Sequence, residues 1–225
     1  MPPDADQPTG PGADTAPPRL LLATTNPHKI AEFRALLAGA PYALVDPAVL
    51  GLDLDVSETG ATFAENATIK ALAWANAARL LTLADDSGLE IDALDAWPGL
   101  HSARWIGPDV PYSDRNRIIL ERMANVPLER RTARYRCAIA VADVVASDAG
   151  AEARIIVAVE GTVEGYIAQA PSGSGGFGYD PIFEVPAEGR TFGEMSGAEK
   201  DQISHRARAA RAAMAELRRI RAAEA

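Results

Sequence analysis

Apolar positions along the chain follow two spacings, and each spacing predicts an element. A mostly apolar run over 20–24 predicts a strand buried on both faces. Apolar residues three and four apart then predict helices over 28–38 and 63–80. Thr62 and Glu65 form a capping box at the start of the second helix. A buried strand followed by helices of this kind is typical of an α/β fold.

The later part of the chain adds antiparallel strands. Apolar and polar residues alternate over 133–145, and a second strand-like run over 154–160 follows after a turn. We predict that the two runs pair as a long antiparallel hairpin. Another helix is predicted over 114–123, and a last helix begins after Ser204. The predicted sheet is therefore mixed rather than purely parallel.

Two adjacent carboxylates, Asp85 and Asp86, follow an apolar run over 80–84 and precede Ser87 and Gly88. We predict a strand end and a turn here, followed by a second strand. Neighbouring side chains at a strand end point in different directions, so one carboxylate can face a cleft. Mg²⁺ usually takes one or two carboxylates and completes its shell with phosphate and water. The pair is a candidate metal or general-base site, and ordinary turn chemistry is the alternative.

The loop before the first helix is a candidate anion site. A helix N-terminus offers free N–H groups and the positive end of the helix dipole, and Lys29 adds a charge. The Gly-Lys-Ser pattern of a P-loop is absent. Glu58, in the loop before the second helix, has no capping role and is a metal-ligand candidate or a solvated carboxylate. Asn66 and Lys70 share one face of that helix.

A glycine-rich segment over 172–181 carries Phe177 and Tyr179, which could stack on a ring. A flexible linker is the alternative, although two aromatic residues and an Asp-Pro pair within the glycines argue against it. Lys200 follows a second capping box, and His205 with Arg206 opens the last helix. Cations oppose the dipole at a helix start, and such a locally unfavourable choice indicates a functional site.

The net charge and the composition argue against several classes of function. The net charge of −9 argues against general nucleic-acid binding, which needs a basic surface. Only three of the 22 basic residues are lysines, and all three lie in the candidate functional segments. The lone cysteine, Cys137, excludes an internal disulfide and is interpreted as a buried thiol in a cytoplasmic protein. No apolar run approaches the roughly 20 residues of a membrane span.

Residues 1–18 are rich in Pro, Gly, Asp and Ala, and we predict a disordered leader. Residues 19–225 are long enough for a single domain with a substantial core.

Six segments together resemble the inosine triphosphatase family of non-standard purine nucleoside triphosphate pyrophosphatases (dITP/XTP pyrophosphatases). They are residues 23–29, 58–60, 63–67, 85–89, 177–181 and 204–206. The similarity extends from Leu20 to about Leu217. The chain departs from the family in its leader and at Pro27-His28, where small residues such as glycine are commoner.

The resemblance implies two lobes around a long mixed β-sheet, with a nucleotide cleft between them, in a homodimer. It implies hydrolysis of ITP, dITP and XTP to monophosphate and pyrophosphate. The alternatives are a pyrophosphatase for other modified nucleotides and a nucleotide-binding module without turnover. Mg²⁺ would bind Glu58 and Asp86, with Asp86 as the general base. Residues implied to contact the nucleotide are Thr24, Thr25, Asn26, Pro27, His28, Lys29, Ser87, Phe177, Gly178, Tyr179, Asp180, Lys200, His205 and Arg206. Possible supporting residues are Glu65, Asn66, Lys70 and Asp85.

Overall fold

The computed structural model describes residues 16–107, 109–147 and 150–224, so most of the predicted leader lies outside the described residues. The strands are β1 (Arg19–Leu22), β2 (Ala43–Val45), β3 (Leu81–Ile91), β4 (Trp97–Pro98), β5 (Thr132–Ser147), β6 (Gly150–Ile167), β7 (Phe183–Val185) and β8 (Arg190–Thr191). The α-helices are α1 (Pro27–Leu36), α2 (Phe63–Ala78), α3 (Tyr112–Arg122), α4 (Gly197–Ile203) and α5 (His205–Glu224). Within this part of the chain, no helix combines the length and apolar character needed to cross a membrane.

The strands form one mixed sheet in the order β2-β1-β3-β5-β6-β7-β8, and β4 pairs with β3. β1 runs parallel to β2 and β3, whereas the other pairings are antiparallel. The predicted α/β fold with a long mixed sheet is therefore confirmed. The predicted hairpin is also confirmed, and β5 and β6 extend beyond the predicted bounds.

The predicted turn at Ser87-Gly88 is wrong, because β3 continues through it. Every residue from Thr82 to Ile91 pairs with a residue of β5. This continuous ladder outweighs the local turn preference of the Asp-Asp-Ser-Gly sequence. Glycine at position 88 has a packing role, since an added Cβ would lie 2.5 Å from the carbonyl oxygen of Gly99. Asp85 and Asp86 are thus neighbours within a strand, and their side chains point to opposite faces of the sheet.

Three apolar clusters divide the molecule into two lobes. In the first lobe, Leu22 and Phe33 belong to a cluster between one sheet face and helices α1 and α5. Alanines of α2 and β5, among them Ala71 and Ala140, form a cluster on the opposite face. The second lobe contains the other ends of β3 and β5 with α3 and the short strands β7 and β8. Full burial of a side chain such as Leu22 stabilises the fold by about 1.5–3 kcal/mol.

Helix α5 begins in direct contact with β6 at Gly161. A Cβ at this position would overlap the carbonyl oxygen of His205 and lie 2.5 Å from the amide nitrogen of Ala209. Both are backbone atoms, which cannot move aside as a flexible side chain does. The small residue at 161 therefore sets the position of the α5 start, which carries His205 and Arg206.

We expect Gly161→Ala to lower the free energy of unfolding by about 1–3 kcal/mol through overpacking. Urea denaturation measures this change. Gly197→Ala is the matched control, because a Cβ there meets no atom within 4 Å. Equal stability of the two variants would contradict the role assigned to Gly161.

Candidate functional site

A cleft of about 310 Å³ lies between the two lobes. It brings together most of the residues selected from the sequence: Thr24, Thr25, Asn26, Lys29, Glu58, Lys70, Asp85, Asp86, Ser87, Phe177, Gly178, Tyr179, Asp180, Lys200, His205 and Arg206. Four others, Pro27, His28, Glu65 and Asn66, are not part of its lining. Glu65 caps α2 by accepting from the amide of Ala61 at 2.6 Å, so its role is structural.

The loop before α1 differs from the simple helix-terminus site that was predicted. Asn26 Oδ1 accepts from the amides of His28 (2.9 Å) and Lys29 (3.4 Å), and its carbonyl accepts from the Ile30 amide. Pro27 has no N–H to offer. The amides of the first turn are therefore already paired. The groups of this loop that remain available to an anion include the Lys29 ammonium and the hydroxyl groups of Thr24 and Thr25.

Asp85 is a fully buried anion held by cations from two parts of the chain. Lys29 Nζ lies 2.8 Å from Asp85 Oδ2, and Arg206 Nη2 lies 3.6 Å from the same oxygen. Burial by itself would raise the pKa of the carboxyl, but Lys29 and Arg206 outweigh it and hold the pKa well below its usual range. Asp85 therefore stays ionised and fixes both cations.

Asp86 lies on the opposite sheet face, against α2. Asn66 Nδ2 donates to Asp86 Oδ2 at 3.0 Å, and Lys70 Nζ lies 3.3 Å from Asp86 Oδ1. Lys70 Nζ is also 2.5 Å from Glu58 Oε1, so one ammonium bridges the two carboxylates. Burial raises the pKa of Asp86, and the neighbouring Glu58 adds to this effect while Lys70 opposes it. Asp86 is the more basic of the two adjacent aspartates.

Glu58 and Asp86 fit a metal that arrives with its substrate. Among the residues that the structure describes, no group of three or more His, Cys, Asp or Glu side chains is arranged to hold a metal. The two carboxylates nevertheless converge on a shared cation, the Lys70 ammonium. Mg²⁺ is commonly bound by one or two carboxylates together with substrate phosphates. The donor set suits that mode and does not suit a metal cage made of protein alone.

Two charged residues of the site were missed from the sequence. Glu32 of α1 accepts from Lys200 Nζ at 2.8 Å and from Arg206, and it ties both cations to the first lobe. Its position one turn after His28 on the same helix face was the available signal. Arg104 donates to Glu58 from the segment between β4 and α3. Arg104 also lines the cleft.

The far end of the cleft combines cations with aromatic rings. Lys200 Nζ lies 2.6 Å from Asp180 Oδ2, and Arg206 Nη2 donates to Ser87 Oγ at 2.9 Å. His205 is buried and stacked on Tyr135 at 4.5 Å between ring centroids. Burial, with Arg206 and Lys200 nearby, keeps the pKa of His205 well below its usual value, so the imidazole is neutral.

Phe177 and Tyr179 have different environments. Phe177 lies on the cleft wall between Gly176 and Gly178, which have φ values of 67° and 73°. Tyr179 is buried, and its hydroxyl donates to the Ser102 carbonyl and accepts from Trp105 Nε1 at 2.8 Å. Of the two rings, Phe177 is therefore the one available to stack on a ligand, whereas Tyr179 anchors the loop.

The sequence model of the Ham1 family matches residues 20–216. This chain belongs to the Ham1 family. It is 53% identical over 196 residues to a dITP/XTP pyrophosphatase of Symbiobacterium thermophilum, covering 85% of this chain and 90% of that protein. It is 44% identical over 187 residues to a dITP/XTP pyrophosphatase of Bacillus subtilis, covering 83% and 90% of the two chains.

Solved structures of Ham1 proteins share the fold. A HAM1 protein from Coxiella burnetii superposes with a TM-score of 0.75 at 37% identity, over 89% of this chain and 98% of that one. The Ham1 protein of Staphylococcus aureus gives a TM-score of 0.73 at 36% identity, over 92% and 100%. The two-lobed sheet of this Ham1 chain is thus the family architecture.

We expect Asp85→Asn to lower the free energy of unfolding by about 3–5 kcal/mol near pH 7, because the buried Arg206 and the partly buried Lys29 lose their shared anion. The depressed pKa also predicts a pH dependence. The ionised form stabilises the wild type above the unfolded-state pKa of about 3.9, and this stabilisation is lost as the pH falls below it. The variant lacks this part of the acid sensitivity.

Urea denaturation at neutral and acidic pH measures both effects. Asp53→Asn, at an exposed loop position, is the matched control. An Asp85→Asn protein as stable as this control would show that the buried ion pairs are not needed.

Proposed function

We propose that this chain hydrolyses ITP, dITP and XTP to the nucleoside monophosphate and pyrophosphate. The observation that carries the proposal is the arrangement of the cleft. Lys29, Lys70 and two carboxylates converge at one end, and Phe177 lies beside buried donors at the other. The relatives with 53% and 44% identity are dITP/XTP pyrophosphatases, which supports the same reaction.

The phosphate end provides charge and orientation. Glu58 and Asp86 would hold Mg²⁺ together with phosphate oxygens, and the ion would neutralise charge on the triphosphate. Lys70 is paired with both of these carboxylates and Lys29 is paired with the adjacent Asp85, and both ammonium groups can donate to phosphate oxygens. Arg104, paired with Glu58 at the rim, adds a guanidinium on the side of the 100–104 loop.

Asp86 orients the attacking water and accepts its proton. Asn66 donates a hydrogen bond to one oxygen of the Asp86 carboxylate, and this bond fixes the orientation of the carboxylate. Burial raises the pKa of Asp86 and makes it a better proton acceptor than its neighbour Asp85. Because a bound cation would lower this pKa again, Asp86 positions the water as much as it deprotonates it. Attack at the α-phosphorus releases pyrophosphate.

The base end favours a 6-oxo purine. Lys200 and Arg206 are buried cations that only donate hydrogen bonds, and a 6-oxo group is an acceptor. Lys200 is paired with carboxylates, whereas Arg206 Nε is buried without a hydrogen-bond partner among the described residues. Adenine presents an amino donor at this position, so an unpaired donor such as Arg206 Nε would face another donor. Leaving buried donors unpaired is costly, and discrimination of this kind reaches about 10⁴-fold in favourable cases.

The proposal also includes Mg²⁺ dependence and a homodimer, which the family resemblance implies, and a cytoplasmic location, which the lone cysteine favours. The two alternative functions make different predictions. A pyrophosphatase for modified pyrimidines would not need donors placed for a 6-oxo purine. A binding module without turnover would not need both Glu58 and Asp86.

We expect purified protein with Mg²⁺ to convert ITP and XTP to monophosphate and pyrophosphate, with kcat/KM for ATP lower by at least about 100-fold. Product analysis by ion-exchange chromatography, with each nucleotide in turn, measures this. Orthophosphate as the primary product, or equal use of ATP and ITP, would rule out the assignment.

Asp86→Asn preserves shape and removes the proton acceptor, so we expect kcat to fall by about 10²–10⁴-fold while the fold is retained. Steady-state kinetics with ITP and the far-UV circular dichroism spectrum measure the two effects. Asp53→Asn again serves as the control. Near-normal turnover in Asp86→Asn would place the proton acceptor elsewhere.

A further inference from the structure

The imidazole of His28 stacks on the ring of Phe177. The two ring centroids are 5.0 Å apart, and the ring planes differ by 9°. This contact joins the start of α1 in the first lobe to the glycine-rich loop of the second. Within the described residues the imidazole forms no hydrogen bond or ion pair, and His28 is exposed. The stack is therefore the one specific contact of this side chain in the described part of the molecule.

The ring of Phe177 is contacted from inside and outside the cleft. Phe177 lies between two left-handed glycines, and its amide is tied to Asp180 Oδ2 at 2.8 Å, which fixes the loop but not the ring. Lys200 Nζ and Arg206 Cζ lie 5.0 and 5.6 Å from the ring centroid, and both residues line the cleft. His28 is not part of the cleft lining. The imidazole therefore supplies the stacked aromatic contact to this ring from outside the cleft.

We propose that His28 is a positioning residue for the nucleobase, acting through Phe177. The proposal rests on the proposed function, because it takes a purine as the ring that stacks on the cleft side of Phe177. Without the imidazole, the phenyl ring keeps its contacts with Lys200 and Arg206 but loses its stacked partner, so its plane is less restricted in the unliganded protein and binding has to immobilise it. Immobilising one side chain, or losing one aromatic pair, changes affinity by about 2- to 10-fold.

The chemistry of the stack determines which substitutions are informative. His28→Ala removes the ring, whereas His28→Phe keeps an aromatic plane without charge or hydrogen-bonding nitrogen. We expect His28→Ala to raise KM for ITP by about 2- to 10-fold with kcat unchanged, and His28→Phe to restore the wild-type KM. His101→Ala, at an exposed histidine outside the cleft lining, is the matched control and should leave both constants unchanged.

A ligand without a base separates this role from an effect on the phosphate loop, since the His28 amide bonds to Asn26. Inhibition by tripolyphosphate should be the same in wild type and His28→Ala. In a Phe177→Leu background, His28→Ala should add no further change in KM.

Three results would overturn the proposal: a KM that is unchanged or lower in His28→Ala, a parallel loss of tripolyphosphate inhibition, or no rescue by His28→Phe. Calorimetric binding of IMP tests the same point without turnover, and we expect weaker binding in His28→Ala. A wild type that does not cleave ITP but binds IMP through this stack would refute the proposed function alone.

Discussion

The buried carboxylate of Asp85 is the charge on which the arrangement of the cleft depends. It pairs with cations from two distant parts of the chain, Lys29 from α1 on one side and Arg206 from α5 on the other. A buried anion requires close cations, and buried cations require an anion. This mutual requirement fixes the starts of α1 and α5 relative to β3. Lys29, proposed to bind phosphate, and Arg206, proposed to bind the base, are therefore linked through one carboxylate.

Strand geometry gives two adjacent aspartates different tasks. Because β3 is continuous, Asp85 and Asp86 face opposite sides of the sheet and meet different neighbours. The cations Lys29 and Arg206 keep Asp85 ionised, whereas burial beside Glu58 makes Asp86 more basic. One residue type thus supplies a structural charge and a candidate proton acceptor. The environment, rather than the residue type, separates these roles.

Much of the site could be predicted from the sequence because its parts carry local signals. Capping residues, clustered glycines and the restricted use of lysine marked segments that the fold brings together at the cleft. Contacts between distant segments could not be predicted in this way. The continuation of β3 depends on its pairing with β5, and the role of Glu32 depends on cations more than 160 residues later. The same limit applies to His28, whose ring partner comes from another lobe.

The position of water attack tests the central claim, hydrolysis at the α-phosphorus beside Asp86, most directly. Turnover of ITP in water enriched in oxygen-18, followed by mass spectrometry of both products, reports which phosphorus is attacked. Attack at the α-phosphorus predicts one labelled oxygen in the monophosphate and none in the pyrophosphate. Label in the pyrophosphate would mean attack at the β-phosphorus and would contradict the assigned orientation of the substrate in the cleft.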